Sequence, residues 1–395
     1  MRYPVGQVKV ILYAGLITLL SGCVNQVVRT VDMTPPDQIT RAQEEHELLD
    51  IGISVFDPNI PESFDEQVAA LIQPDVRHAE ANFMPYIAKN LLQSTGNWGA
   101  VRVVPRPTHA VDVIVTGKII ESNGERMQLE ISVSDARGEP WFTNTYQALA
   151  SKYAYDDTLP PDIDPFQAIY KSLANDMLAY RENLTAEDIR MIRTTAEMKF
   201  ARDFAPDAFS EHVSQTQGAF NLMRLPAEDD PMLDRVRQIR EREYLFIDTL
   251  DDYYAGFHRQ MYSPYQSWRK ATYDEAIAYR ELKAQARNRA MAGTVAIIGG
   301  VAAIYESNNA WVDASGLVGI GAGVALIKMS VAKRYEAEMH AEIMREVGIA
   351  AEAELLPYTI ALENQNVRLQ GTVEEQYVEL RRILRKIYFE NLGLE

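Results

Sequence analysis

A chain of 395 residues, 47% of them hydrophobic and 24% charged, can bury more than one core, so about two or three domains are expected and wholesale disorder is excluded. Its formal charge of -17 lacks the Lys and Arg excess with which general nucleic-acid binders displace counterions from phosphate; no nucleic-acid partner is expected, and the acidity reads as solubility. One cysteine permits no intramolecular disulfide, and a zinc site would rest on six scattered histidines.

Residues 1–22 have the three parts of an export signal: Arg2 and Lys9 in a positive leader, an apolar run from Val10 to Leu20, and the small pair Ser21-Gly22 before a cleavage point. The run holds eleven residues, too few for an ordinary spanning helix. Leu20-Ser21-Gly22-Cys23 resembles the lipobox of bacterial lipoproteins. That resemblance implies that Cys23 is diacylated on sulfur, by chains such as palmitate, and becomes the first residue after cleavage. The competing reading is a buried cysteine. Membrane lipid is then a partner through the acyl anchor, with about 0.8 kcal/mol gained per buried CH2. The family's sorting rule retains proteins at the inner membrane when Asp follows the cysteine. Val24 stands there, which implies an outer-membrane anchor facing the periplasm, with the inner membrane as the alternative. Loss of Arg2 and Lys9 leaves 37 basic against 56 acidic residues, a charge of -19. Residues 23–47 are polar, carry Pro35-Pro36 and keep no period, as a tether would.

Residues 48–184 read as an α/β docking domain. Leu49 to Phe56 is a buried strand stopped by Asp57-Pro58, and Pro74 to Gln93 places Val76, Phe83, Ile87 and Leu91 at helical spacing. Trp98 to Val104 and Val111 to Glu121 are strand-like, Asn123-Gly124 signals a hairpin, and Met127, Leu129, Ile131 and Val133 then alternate strictly. Arg137-Gly138 turns the chain into Trp141 to Leu149, and Asp164-Pro165 opens a helix with Phe166, Ile169, Leu173, Met177 and Tyr180 on one face. The expected order is β-α-β-β-β-β-α, a mixed sheet with helices packed on it. In element order this resembles the small α/β domain of the N-terminal part of the Tol translocation protein, the curli-export lipoprotein and the lipoprotein activators of penicillin-binding proteins. In those families the domain binds other proteins, so the resemblance implies envelope protein partners; it carries over no functional residues.

From Thr185 onward the pattern is helical for about 170 residues. Asp230-Pro231 marks a helix start within the helical region 185–262, and Ser263-Pro264 is expected to end that helix and begin the next. Ten aromatic residues stand between Tyr244 and Tyr279, either lining a binding groove or filling space between helices. Residues 263–356 read as a long antiparallel helical hairpin whose tip, 290–327, is apolar and glycine-rich. Its two uncharged runs, Ala290 to Tyr305 and Ala314 to Ile327, hold seven glycines, each about 1 kcal/mol worse than alanine in a helix. Ala292, Ala296 and Gly300 in the first run and Gly319 and Gly323 in the second recur every four residues, which lets helix backbones approach closely. The tip resembles the glycine-zipper two-helix segments of some bacterial envelope lipoproteins. Lys283, Arg287 and Arg289 precede it and Lys328, Lys333 and Arg334 follow it, a placement suited to anionic headgroups. Runs of 16 and 14 residues fall short of the roughly 30 Å hydrocarbon thickness. Membrane insertion, self-association into a homo-oligomer and plain buried core all stay open.

Residues 357–395 hold a weakly alternating stretch from Thr359 to Leu369, then a capping box of Thr372 with Glu375 opening a last helix with Tyr377, Leu380, Leu384 and Ile387 on its inner face. None of His46, His78, His109, His212, His258 and His340 forms an HExxH pair, and Gly319-x-Gly321-x-Gly323 lacks the Lys and Ser or Thr of a phosphate loop. No GxSxG elbow occurs. No catalytic residue, metal ligand or cofactor is assigned, and the expectation is a non-enzyme of α+β class. It acts as a lipid-anchored structural, adaptor or assembly component of the envelope; the alternatives are a periplasmic regulator of a cell-wall enzyme and an envelope glycan hydrolase.

Overall fold

The computed structural model describes residues 27–29, 34–41, 43–70, 72–151, 153–155, 164–227, 229–291, 339, 342–343, 345–346, 359–361 and 366–390. The chain is α+β. Its strands are β1 (Val27–Arg29), β2 (Ile51–Ser54), β3 (Val101–Val104), β4 (Val113–Ser122), β5 (Arg126–Asp135), β6 (Pro140–Leu149), β7 (Val213–Thr216), β8 (Ala219–Leu222), β9 (Thr359–Ala361) and β10 (Asn366–Arg368). Its helices are α1 (Phe64–Ala69), α2 (Pro74–Thr95), α3 (Gln167–Arg181), α4 (Ala186–Phe204), the single turn α5 (Pro206–Phe209), α6 (Pro231–Met291) and α7 (Val373–Glu390).

Six strands form one mixed sheet in the order β1-β6-β5-β4-β2-β3. β4, β5 and β6 are an antiparallel meander, while β2 runs parallel to both β3 and β4. A strand paired on both sides and covered on both faces must be apolar or small throughout, and every residue of Ile51-Gly52-Ile53-Ser54 is buried. On β5, Met127, Leu129, Ile131 and Val133 point inward as their alternation requires. They meet Met84, Ala88 and Leu92 of α2 and Ile169, Leu173 and Met177 of α3 in the first core. The Asn123-Gly124 turn exists, held by the Asn123 Oδ1 atom accepting the amides of Glu125 and Arg126.

The second core lies where α4, α6 and α7 meet, with Phe200, Phe204, Phe246, Leu250, Tyr377 and Leu384 inside it. α4 belongs to both cores, since Ile189, Ile192 and Ala196 pack with the sheet and Phe200 and Phe204 with the helices. α7 begins at the expected capping box, with the Thr372 amide donating to Glu375 Oε2 and the Glu375 amide to Thr372 Oγ1. Thr359–Ala361 and Asn366–Arg368 pair as an antiparallel hairpin.

Three expectations are corrected. Ser263-Pro264 ends nothing: α6 runs through Pro264 for 61 residues, about 90 Å at 1.5 Å per residue. Tyr254, Phe257, Met261, Tyr265 and Trp268 keep one buried stripe in register on both sides of the proline, and that packing outweighs the single backbone hydrogen bond proline removes. The helical stretch after Thr185 is interrupted by the hairpin β7–β8, whose two turn residues Gln217 and Gly218 have φ of 51° and 91°. The Phe220 amide ties this hairpin to Arg137 O at 2.7 Å. Finally, the supposed tether is docked where it is described. β1 pairs with β6, the Ile39 amide donates to Asn97 Oδ1, and Arg181 and Arg193 donate to the carbonyls of Glu47 and Glu45. Besides β1 and the short 3-10 turn Glu45–Glu47, this polar segment bonds several of its backbone groups to side chains of the domain.

Candidate functional site

Cys23, its preceding residues Leu20, Ser21 and Gly22, and the helix-packing residues Ala292, Ala296, Gly300, Gly319 and Gly323 lie outside the described residues. Among the described residues no helix is long and apolar enough to cross a membrane, and no group of His, Cys, Asp and Glu is placed to hold a metal ion. The chemistry that is described concentrates along α6, where charged side chains interrupt its buried stripe and meet partners far away in sequence.

The first cluster joins α6 to α2 and to the segment leading into α3. Arg269, fully buried, donates from Nη1 to Asp164 Oδ2 at 2.9 Å and from Nη2 to Tyr265 Oη at 2.8 Å. Tyr265 Oη and Ser122 Oγ each donate to Glu80 Oε1 at 2.5 Å. The guanidinium also lies 3.9 Å from the centre of the Tyr265 ring and 4.8 Å from that of Phe166. Burial works against its charge, but Asp164 and the neighbouring tyrosine hydroxyls hold Arg269 above the ordinary arginine value. Burial, reinforced by Glu80, drives the Tyr265 hydroxyl well above its usual range, so it stays a donor. Beside this cluster the turn at Gly124 rests on the helix backbone: a Cβ there would stand 2.0 Å from Arg269 O. Only glycine fits that approach.

The second cluster joins α6 to α7. Glu243, fully buried, accepts from Tyr377 Oη at 2.6 Å and Thr108 Oγ1 at 3.2 Å, with Arg381 Nε at 3.7 Å. Arg381 also reaches Asp203 Oδ2, which His109 Nδ1 approaches to 2.9 Å. Burial raises the cost of a charge on Asp203, yet His109 and Arg381 hold it below the ordinary carboxylate range.

The third cluster joins α6 to the edge of the sheet. Tyr244 Oη and Arg240 both donate to Ala110 O, and Arg240 stands 4.0 Å from Asp112. Burial pushes the Asp112 carboxyl up to about 6, a rise that Arg240 and the Asp50 amide only partly offset. One and two turns further along α6, Asp248 pairs with Arg102 of β3 at 2.6 Å and Asp251 with Lys89 of α2 at 2.9 Å. Between these pairs lies a cleft of about 250 Å³, lined by Gln93, Ala100, Val101, Val103 and Ile247 together with the four charged residues.

Of the aromatic residues on α6, Tyr254, Phe257, Tyr265 and Trp268 are buried, filling space between helices. The residues that join helix to sheet were not singled out from the sequence. A signal existed: Glu243 and Arg269 are charged residues at stripe positions, between Ile239 and Phe246 and beside Tyr265 and Trp268. Comparison with protein-family models, with curated proteins and with solved structures gives no match to this chain.

Proposed function

We propose that the protein is a lipid-anchored adaptor of the bacterial cell envelope, held in a membrane through acyl chains on Cys23 and presenting a rigid helical arm to other envelope proteins or to copies of itself. The observation that carries this reading is Leu20-Ser21-Gly22-Cys23, behind Arg2, Lys9 and the apolar run Val10 to Leu20, in a chain whose only cysteine is that one. Supporting it, α6 is joined to the sheet domain by buried polar clusters and leads at Met291 directly into the uncharged run carrying Ala292, Ala296 and Gly300. In this reading those residues, with Gly319 and Gly323, pack helix against helix in a membrane-embedded or self-associating tip.

Mass spectrometry of the protein purified from membranes tests the anchor: a diacylated Cys23 at the new N-terminus is expected, and an intact leader with a free thiol would remove the reading's basis. Cys23→Ala is expected to move the protein from the membrane to the soluble fraction. For the tip, Gly300→Leu with Gly323→Leu is expected to reduce oligomer size in detergent or ease extraction by salt; unchanged values for both would leave the zipper without a role.

A further inference from the structure

The cleft between α2, β3 and α6 has a floor, two walls and a charge arrangement that together specify a ligand. Its floor is the edge strand of the sheet. Among the described residues β3 pairs only with β2, in parallel register Ile51↔Val101 to Ser54↔Val104, with Ile51 N donating to Ala100 O and Val55 N to Val104 O. Arg102 and Val104 therefore turn their amides and carbonyls toward β2, and Val101 and Val103 turn theirs away from it. The Val101 amide donates to Gln93 Oε1 at 3.0 Å, and Val103, 2% exposed, belongs to the buried floor of the cleft.

The walls carry opposite signs. On the α2 and β3 side stand Lys89 and Arg102, with side chains 14% and 15% exposed; on the α6 side stand Asp251 and Asp248, at 42% and 51%. The cations are deep and the carboxylates sit nearer the rim. Lys89 is held by Asp251, and Arg102 by Asp248 with Asp50 also 4.0 Å away, so a ligand of a single charge that entered would leave a half-buried partner of the other sign unmatched. A ligand carrying both signs exchanges partners without that penalty.

We propose that this cleft binds a small zwitterion, an amino acid or dipeptide, with its carboxylate on Lys89 and Arg102 and its ammonium on Asp248 and Asp251. The cleft's volume of about 250 Å³ equals the liquid volume of roughly eight waters, which suits a ligand of that size. The geometry is independent of the lipid anchor, so failure of either idea leaves the other standing.

Equilibrium dialysis of the full chain against labelled alanylalanine, N-acetyl-alanylalanine and alanylalanine amide tests the proposal. Saturable binding of alanylalanine is expected, with about tenfold or greater weakening when either terminal charge is blocked. Asp251→Asn is expected to weaken it by a similar factor, and Ala100→Met, which fills the cleft without altering charge, to abolish it. Circular dichroism and thermal unfolding identify which variants are folded, and either folded variant suffices for the decision. The proposal is overturned by absent saturable binding, by equal binding of the blocked peptides, or by unchanged affinity in a folded variant.

Discussion

The sheet core and the seam along α6 hold the molecule together in opposite ways. Beneath the sheet, Leu129, Ile131, Met84, Leu173 and Met177 meet as apolar surfaces, a nondirectional contact that tolerates small shifts at little cost. Along the seam, Arg269, Glu80, Asp164 and Glu243 are removed from water and held by directional hydrogen bonds, while Arg269 Nε, Glu80 Oε2 and Glu243 Oε2 make none among the described residues. Desolvation takes back much of the attraction in such pairs, so their contribution is less to net stability than to a unique orientation of helix on sheet. A helix about 90 Å long magnifies any angular error at its base, and hydrogen bonds at fixed distances limit that error better than apolar packing alone.

The sharpest way to break this contrast is Arg269→Met. It strands Asp164 in the interior, and a loss of about 3–5 kcal/mol in denaturant unfolding is expected. Pairing it with Asp164→Asn should restore much of that loss, whereas a seam that merely adds stability would show the two losses summing. In the sheet core, Leu129→Ala is expected to cost about 2–5 kcal/mol with no compensating partner, because a cavity replaces packed methyl groups. Hydrogen exchange should then rise across β4–β6 rather than along α6.

Asp112 distinguishes the seam by pH. Its folded pKa of about 6 lies above the ordinary 3.8, so the folded state binds the proton more tightly than the unfolded one. Stability therefore rises as pH falls from about 6 toward 3.8, and this contribution is lost as pH climbs back through 6. The difference between wild type and Asp112→Asn, measured by urea unfolding across that window, is expected to follow this curve with an amplitude of about 3 kcal/mol at most. A flat difference would remove Asp112 as its source. The smallest effect is expected for Gly124→Ala, about 1–3 kcal/mol, since the added Cβ forces the hairpin tip off the backbone at Arg269. Faster exchange of amides near Thr272 and Tyr273, with β5 unchanged, would confirm where the strain falls.

Much of the fold was legible because its signals are local. Strict alternation from Met127 to Val133, turn residues at Asn123-Gly124 and Arg137-Gly138, and the Thr372/Glu375 box each act within a few residues, and all recur in the structure. Hairpin β7–β8 escaped notice because its turn is Gln217-Gly218: glutamine carries none of the positive-φ preference that makes Asn-Gly conspicuous, yet here it adopts φ of 51°. The proline at 264 misled for a related reason. Its local cost is real, but buried contacts from Tyr254 to Trp268 outweigh it, and those contacts come from α2 and, at Tyr254, from the second core.

By itself the sequence determined strands β2 to β6, helices α2 and α3, the final helix and the class α+β, since periods of 2 and 3.6 residues and cap chemistry are properties of short stretches of chain; β1 and α1 carry no such signal. The parallel insertion of β2 between β3 and β4, the continuity of α6, and the partners of its buried charges were decided only in three dimensions. Lys89 meets Asp251 across 162 residues, and Tyr265 meets Glu80 across 185. Nothing near either residue encodes its partner, because a charge is matched by whatever the completed packing brings within reach.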